Sequence, residues 1–252
     1  MTTTYFTSPE GRRLAYRASA PTHSPLTYVW LSGFKSDMSG TKVTELEAWA
    51  TEAGHGFLAF DYSGHGLSDG AFEDGTISAW REDALAAIDA HSTGPIVLVG
   101  SSMGGWMALL AALARPDRVA GLVLIAPAPD FTEKLMWPEF SAEAQSEIME
   151  QGFTQRPSDY DEPYTITRAL IEDGRTWQIL DAPIKLDIPV RILQGMQDAD
   201  VPWKHAERLV DTITSEDLVF TLIKDGDHRL SREQDIARLK TTCAEIATAT
   251  RP

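Results

Sequence analysis

The chain has 252 residues, of which 22 are basic and 37 acidic, giving a formal net charge of −15. A surface this acidic repels phosphate backbones and anionic lipid headgroups, which argues against nucleic-acid partners and membrane docking. An apolar share of 43% with 23% charged residues fits a globular chain with a substantial core rather than a disordered one. The longest apolar run, Trp106–Ala114, falls far short of the roughly 20 residues that span a bilayer.

Cys243 is the single cysteine, so no intramolecular disulfide can form, which suits a reducing compartment. Residues Met1–Gly11 have no basic start followed by an apolar stretch and read as neither a secretory signal nor a transit peptide. A cytoplasmic protein is expected, either monomer or dimer.

Along the chain, Tyr5–Thr7 and Leu14–Arg17 flank the turn signal Pro9-Glu10-Gly11, the pattern of an antiparallel hairpin. Compact apolar runs follow at Tyr28–Leu31, Phe57–Phe60, Ile96–Val99, Leu122–Ile125, Val190–Leu193 and Leu218–Ile223. Nearly continuous apolar character marks strands buried on both faces, as in parallel sheets. Helical stripes lie between them. Leu46, Trp49, Ala50 and Ala53 follow a capping box of Thr44 and Glu47, and Trp80, Ala84, Ala87 and Ile88 form a second stripe. Ile236, Leu239, Cys243 and Ile246 follow another box, Ser231 with Gln234. Such alternation predicts an α/β domain: a mostly parallel eight-stranded sheet with helices on both faces. From Ala128 to Asp187 the rhythm breaks. This stretch reads as helical without a strand and carries apolar side chains such as Phe131, Met136, Trp137 and Ile171. It is expected to be a helical cap inserted after the sixth strand, with residues 1–127 and 188–252 forming the core.

Gly100-Ser101-Ser102-Met103-Gly104 reads G-x-S-x-G between an apolar strand and the apolar helix Met103–Ala114. That context is the one in which a serine sits on a sharp strand-to-helix turn with its hydroxyl raised above the sheet. Bulk at positions 100 and 104 would collide with neighbouring backbone. The helix N-terminus favours negative charge developing beside Ser102.

A serine hydroxyl needs a base, and histidine suits neutral pH. Of six histidines only His205 and His228 follow Ser102. His228, in a loop between the last strand and the last helix, is the better placed, because ligands meet α/β sheets at the carboxyl ends of parallel strands. The loop after the preceding strand offers Asp198 and Asp200 as the acid, and spacing alone leaves both open. Asp225 and Asp227 lie too close to His228 along the chain and read as solvated surface. Oxyanion donors are expected at the backbone N–H of Met103 and, in the Gly33 loop, of Phe34. Phe34, Ser101, Met136 and Trp137 are candidate substrate-binding residues. Gly64-His65-Gly66-Leu67-Ser68 reads as a structural tight loop. Scattered histidines and one cysteine suggest no metal site, and no cofactor is called for.

Ser32-Gly33-Phe34, the stretch Asp61–Ser68, the elbow with Gly105-Trp106, Gln194–Pro202 and Gly226–Ser231 together resemble the α/β-hydrolases. More narrowly they are similar to a mitochondrial palmitoyl-protein thioesterase subfamily, also described as acyl-glucuronide esterases (α/β-hydrolase domain-containing protein ten). Gly33–Lys42 and Asp225–Ser231 are the discriminating segments. The resemblance implies a serine esterase or thioesterase acting on a small-molecule or acylated substrate. It places the acid at Asp198, three residues before Val201-Pro202. Many relatives have His-Gly where this chain has Ser32-Gly33, a departure that leaves the backbone donor intact. Eukaryotic members carry a transit peptide, so a bacterial relative or a mature form is expected. Carbon–carbon bond hydrolases, peptidases and non-catalytic binders share this architecture. Candidates for all three catalytic groups favour an enzyme over a binder.

Overall fold

The structure, a computed structural model, describes residues 2–156 and 163–250. In chain order its elements are β1 (Thr4–Thr7), β2 (Arg13–Ser19), β3 (Thr27–Leu31), α1 (Thr41–Glu52), β4 (Gly56–Phe60), α2 (Ile77–His91), β5 (Ile96–Ser101), α3 (Met103–Ala114) and β6 (Val119–Ile125). Then follow α4 (Ala142–Gln151), β7 (Phe153–Arg156), β8 (Tyr164–Thr167), α5 (Arg168–Thr176), β9 (Val190–Gly195), α6 (Trp203–Thr212), β10 (Leu218–Ile223) and α7 (Glu233–Ala249).

Eight strands form one sheet in the order β1-β2-β4-β3-β5-β6-β9-β10. The β1–β2 and β2–β4 pairs are antiparallel, and every pair from β4 to β10 is parallel. Strand residues alternate between two cores, as the pleat requires. Val29, Leu31, Leu98, Leu122 and Ile192 pack on α2, α3 and α6, while Tyr28, Trp30, Val97, Val99 and Val123 pack on α1 and α7. Cys243 is fully buried in the second core, where the Tyr28 hydroxyl donates to its carbonyl at 2.7 Å.

Both expected capping boxes need correction. Helix α1 starts a turn earlier than Thr44, with Gly40 as N-cap. Val43 extends the buried stripe of Leu46 and Ala50, and the Thr44 hydroxyl instead bonds back to the Gly40 carbonyl at 3.0 Å. Helix α7 is capped at Arg232, whose backbone N–H and guanidinium both donate to the Asp235 carboxylate. The Ser231 hydroxyl turns back to the Arg229 carbonyl.

The stretch between β6 and β9 is not wholly helical, as its sequence suggests. Besides α4, α5 and a π-helical turn at Thr132–Met136, it holds an antiparallel pair, β7 with β8. Each of these strands is four residues long. Runs this short, rich in β-branched and aromatic residues, do not outweigh the helical signals around them. Residues 157–162 of the expected cap lie outside the described residues.

Candidate active site

Three loops at the carboxyl ends of β5, β9 and β10 meet at one edge of the sheet. On the first, Ser102 has φ 56° and ψ −120°, a backbone conformation that non-glycine residues rarely adopt. It is held there by its N–H to the Ile125 carbonyl (2.9 Å) and by its own carbonyl, which accepts from Gly105 (2.8 Å) and Ala128 (3.1 Å). The glycines permit the turn. A Cβ at Gly104 would run into the Leu31 carbonyl, and one at Gly100 into the Gly104 carbonyl.

The third loop brings His228 over Ser102, with Nε2 3.2 Å from the serine Oγ. On its other side, Nδ1 lies 2.8 Å from Asp198 Oδ2. An ionised carboxylate only accepts, so Nδ1 carries the proton and Nε2 presents its lone pair to the hydroxyl. The Asp198 side chain is fully buried but satisfied. Oδ1 accepts from the N–H groups of Asp200 (3.0 Å) and Val201 (2.8 Å). Oδ2 accepts from Gln194 Nε2 (3.1 Å) as well as from His228.

Between the two aspartates left open by spacing, the imidazole therefore bonds Asp198, and Asp200 supplies only a backbone donor. The acid and histidine loops are stitched together by Gln197 N–H to the Gly226 carbonyl at 2.9 Å. Asp227 is not idle surface, because its carboxylate closes the histidine turn by accepting from the Leu230 N–H at 2.9 Å. Asp225 pairs with Arg232. His205, the rival base, is buried in α6 and its Nε2 bonds the Pro129 carbonyl at 2.7 Å.

Asp198, Asp200 and His228 form the one group among the described residues with the spacing of a metal site. The hydrogen bonds just given already occupy Asp198 Oδ1, Asp198 Oδ2 and His228 Nδ1, so a cation there would have to displace them.

The loop after β3 lies against the elbow. A Cβ at Gly33 would sit 3.3 Å from the Ser101 carbonyl and from Ser102 Cβ, so glycine lets the two backbones approach. Among the described residues, the N–H groups of Phe34 and Met103 have no protein acceptor. Both residues line a cleft of about 740 Å³ that also contains Ser101, Ser102 and His228.

The lining of the cleft includes a set of apolar side chains, Phe34, Phe131, Leu135, Met136, Tyr164 and Ile166. Here the Phe34 ring meets Phe131 and Tyr164 edge-on at 5.5 and 6.4 Å. The lining also carries charge, including Lys35, Asp37, Lys42, Glu139, Arg156 and Asp200. Burial pushes the Lys42 amine down to about 8, against the pull of Asp227 and Asp235. Its Nζ bonds the Arg229 carbonyl and lies 3.4 Å from the Ser231 hydroxyl.

Of the expected substrate contacts, Phe34, Ser101 and Met136 line the cleft and Trp137 does not. With Met136 turned inward, the Trp137 indole lies under the Arg175 guanidinium at 4.9 Å and edge-on to Phe140 at 6.3 Å. Tyr164 escapes the sequence reading because no motif marks it, while Phe131 enters it only as a cap residue and Lys42 only as the end of the Gly33–Lys42 segment.

Residues 24–239 match the alpha/beta hydrolase family. The palmitoyl-protein thioesterase ABHD10, mitochondrial, of Bos taurus is 38% identical over 220 residues, covering 86% of this chain and 72% of that protein. The mouse ABHD10 structure superposes with a TM-score of 0.89 at 34% identity, covering 98% of this chain and 99% of that one. A crystal structure from Agrobacterium vitis S4 gives a TM-score of 0.94 at 44% identity, covering 98% of each chain.

These relatives correct the expected cytoplasmic location, since the ABHD10 proteins matched are mitochondrial by name. An acidic surface and one cysteine describe the folded domain and do not encode its address. No helix among the described residues is long and apolar enough to cross a membrane. On the family match and these relatives, the chain belongs to the α/β-hydrolase family and is a hydrolytic enzyme.

Proposed function

We propose that the chain hydrolyses carboxylic esters or acyl thioesters through an acyl-enzyme, with Ser102 as nucleophile, His228 as general base and Asp198 as the acid that orients it. The observation carrying this reading is the unbroken hydrogen-bonded path from Ser102 Oγ through His228 to Asp198. As Oγ attacks the acyl carbon, its proton passes to His228 Nε2. The buried Asp198 carboxylate then faces an imidazolium, which it stabilises. The oxyanion that forms meets the N–H groups of Phe34 and Met103, each such donor being worth about 3 kcal/mol. His228 returns the proton to the departing alkoxide or thiolate. Water then attacks the acyl-enzyme with the same base.

The segment between β6 and β9 acts as the cap in this scheme, since it supplies Phe131, Leu135, Met136, Tyr164 and Ile166 to the cleft. That apolar wall suits an acyl chain, in keeping with the thioesterase names of the relatives.

Ser102→Ala, assayed with p-nitrophenyl esters and acyl thioesters, should abolish turnover and labelling by a fluorophosphonate probe. Turnover within tenfold of the unmodified enzyme would remove Ser102 from its role.

A further inference from the structure

His65 belongs to a glycine-flanked loop that the proposed chemistry leaves unused, yet it touches the oxyanion loop directly. Its Nε2 lies 3.2 Å from the backbone nitrogen of Lys35, the residue that follows Phe34. Its Nδ1 lies 3.2 Å from the Ser63 carbonyl. A carbonyl only accepts and a backbone N–H only donates, so one tautomer satisfies both contacts: proton on Nδ1, lone pair on Nε2. The ring is 4% exposed and is held edge-on by Tyr62 at 5.7 Å, Phe72 at 5.3 Å and Trp80 at 5.2 Å.

Lys35 needs such an anchor, because its φ is +55°, a conformation unfavourable for a residue with a side chain. The Lys35 side chain adds a second tether, lying over the rings of Phe72 (4.8 Å) and Tyr164 (4.6 Å). Three residues further on, Asp61 holds the same loop by accepting from the Met38 N–H at 2.7 Å.

We propose that His65 is a positioning residue for oxyanion stabilisation: by accepting the Lys35 N–H it holds the turn that aims the Phe34 N–H at the site above Ser102. This inference rests on the acyl-transfer reading of Ser102. Burial supports it by pushing the imidazole down to about 4. The ring therefore stays neutral at working pH and keeps its acceptor.

Two variants separate positioning from packing. Gln in place of His65 puts an amide oxygen near the position of Nε2 and can still accept, whereas Leu fills the space without an acceptor. His65→Leu should lower kcat about 10- to 100-fold, part of the loss seen when an oxyanion donor is removed. It should weaken a trifluoromethyl ketone transition-state analogue in proportion, and leave the affinity for the carboxylate product within about twofold. His65→Gln should recover most of both losses. Equal losses in the two variants, or a product affinity that falls with kcat, would mean packing alone.

Should the Leu variant fail to fold, nitrogen-15 NMR of the histidines in the unmodified enzyme still decides. A proton on Nδ1 of His65 supports the inference, and a proton on Nε2 overturns it, since that nitrogen could not accept. Ser102→Ala measured in parallel keeps the two readings apart. Turnover surviving that change sinks the nucleophile assignment. Turnover lost there but untouched in His65→Leu sinks the role of His65 alone.

Discussion

The Asp198 carboxylate accepts from His228 Nδ1 at 2.8 Å, and the neighbouring Asp200 contributes to this pair only its backbone N–H, 3.0 Å from Asp198 Oδ1. The two aspartates thus have separable consequences. Asp198→Asn puts an amide where the carboxylate was, which favours the wrong imidazole tautomer. It should lower kcat by about 10³- to 10⁴-fold. Asp200→Asn keeps the backbone donor and should leave kcat within about threefold. Steady-state kinetics on one p-nitrophenyl ester distinguish them, and a large effect at Asp200 would reverse the assignment of the acid.

Gly104 tests the elbow as architecture rather than chemistry. A methyl group there overlaps the backbone carbonyl of Leu31 on β3, which lies in the middle of the sheet and cannot yield as a flexible side chain would. Gly104→Ala should destabilise the fold by about 2–3 kcal/mol. In a chain of this size that corresponds to a Tm lowered by roughly 4–12 °C. An unchanged melting temperature would mean that the elbow and β3 are not packed as described.

Much of this arrangement is legible before any coordinates. The elbow is, because G-x-S-x-G lies between a strand and a helix whose apolar runs are unbroken, and α3 spans the expected Met103–Ala114. Strands β3, β4, β5, β6 and β9 are legible for the same reason, since buried parallel strands carry near-continuous apolar sequence. By contrast, β1 and β2 are marked by the turn between them, and β10, at the sheet edge, leaves Val219 and Leu222 exposed.

Other features have no local signal. Asp198 and Asp200 are equivalent by spacing until the turn between them folds and spends the Asp200 N–H on its neighbour. The contact between His65 and Lys35 joins loops 30 residues apart, and neither loop announces the other. Met136 and Trp137 are both large, apolar and adjacent in the chain, yet Met136 lines the cleft while the Trp137 indole packs on Arg175 and Phe140.

That last contrast gives a prediction about acyl selectivity. Met136 forms part of the apolar wall, so Met136→Ala should deepen the cleft. It should raise kcat/KM for long-chain p-nitrophenyl esters relative to short-chain ones by about tenfold, the scale of one or two methylenes gained in an apolar pocket. Trp137→Ala removes a ring that packs on Arg175 and Phe140 outside the cleft, so the same ratio should move less than twofold. A shift at Trp137 matching that at Met136 would return the indole to the substrate path.

The buried imidazole of His65 makes a separate prediction about acid stability. Burial lowers it from 6.5 to about 4. Between those values the unfolded chain binds a proton that the folded chain does not, so stability rises with pH across this window and is lost as pH falls through it. Two charged groups act on the ring, Lys35 reinforcing the shift and Asp37 opposing it, and the bond to Ser63 also opposes it. A shift of this size is worth on the order of 3 kcal/mol. Buried carboxylates complicate the raw profile. Asp61, Asp83 and Asp130 are all raised by burial, so each contributes stability at low pH that disappears as pH rises. Comparison with His65→Gln cancels them, because the variant keeps the carboxylates and lacks the titrating ring. Urea unfolding from pH 7 down to pH 4 should show the unmodified protein losing about 3 kcal/mol relative to the variant, with the steepest loss below pH 6. Parallel curves would mean that the ring takes up its proton in the folded state as readily as in water.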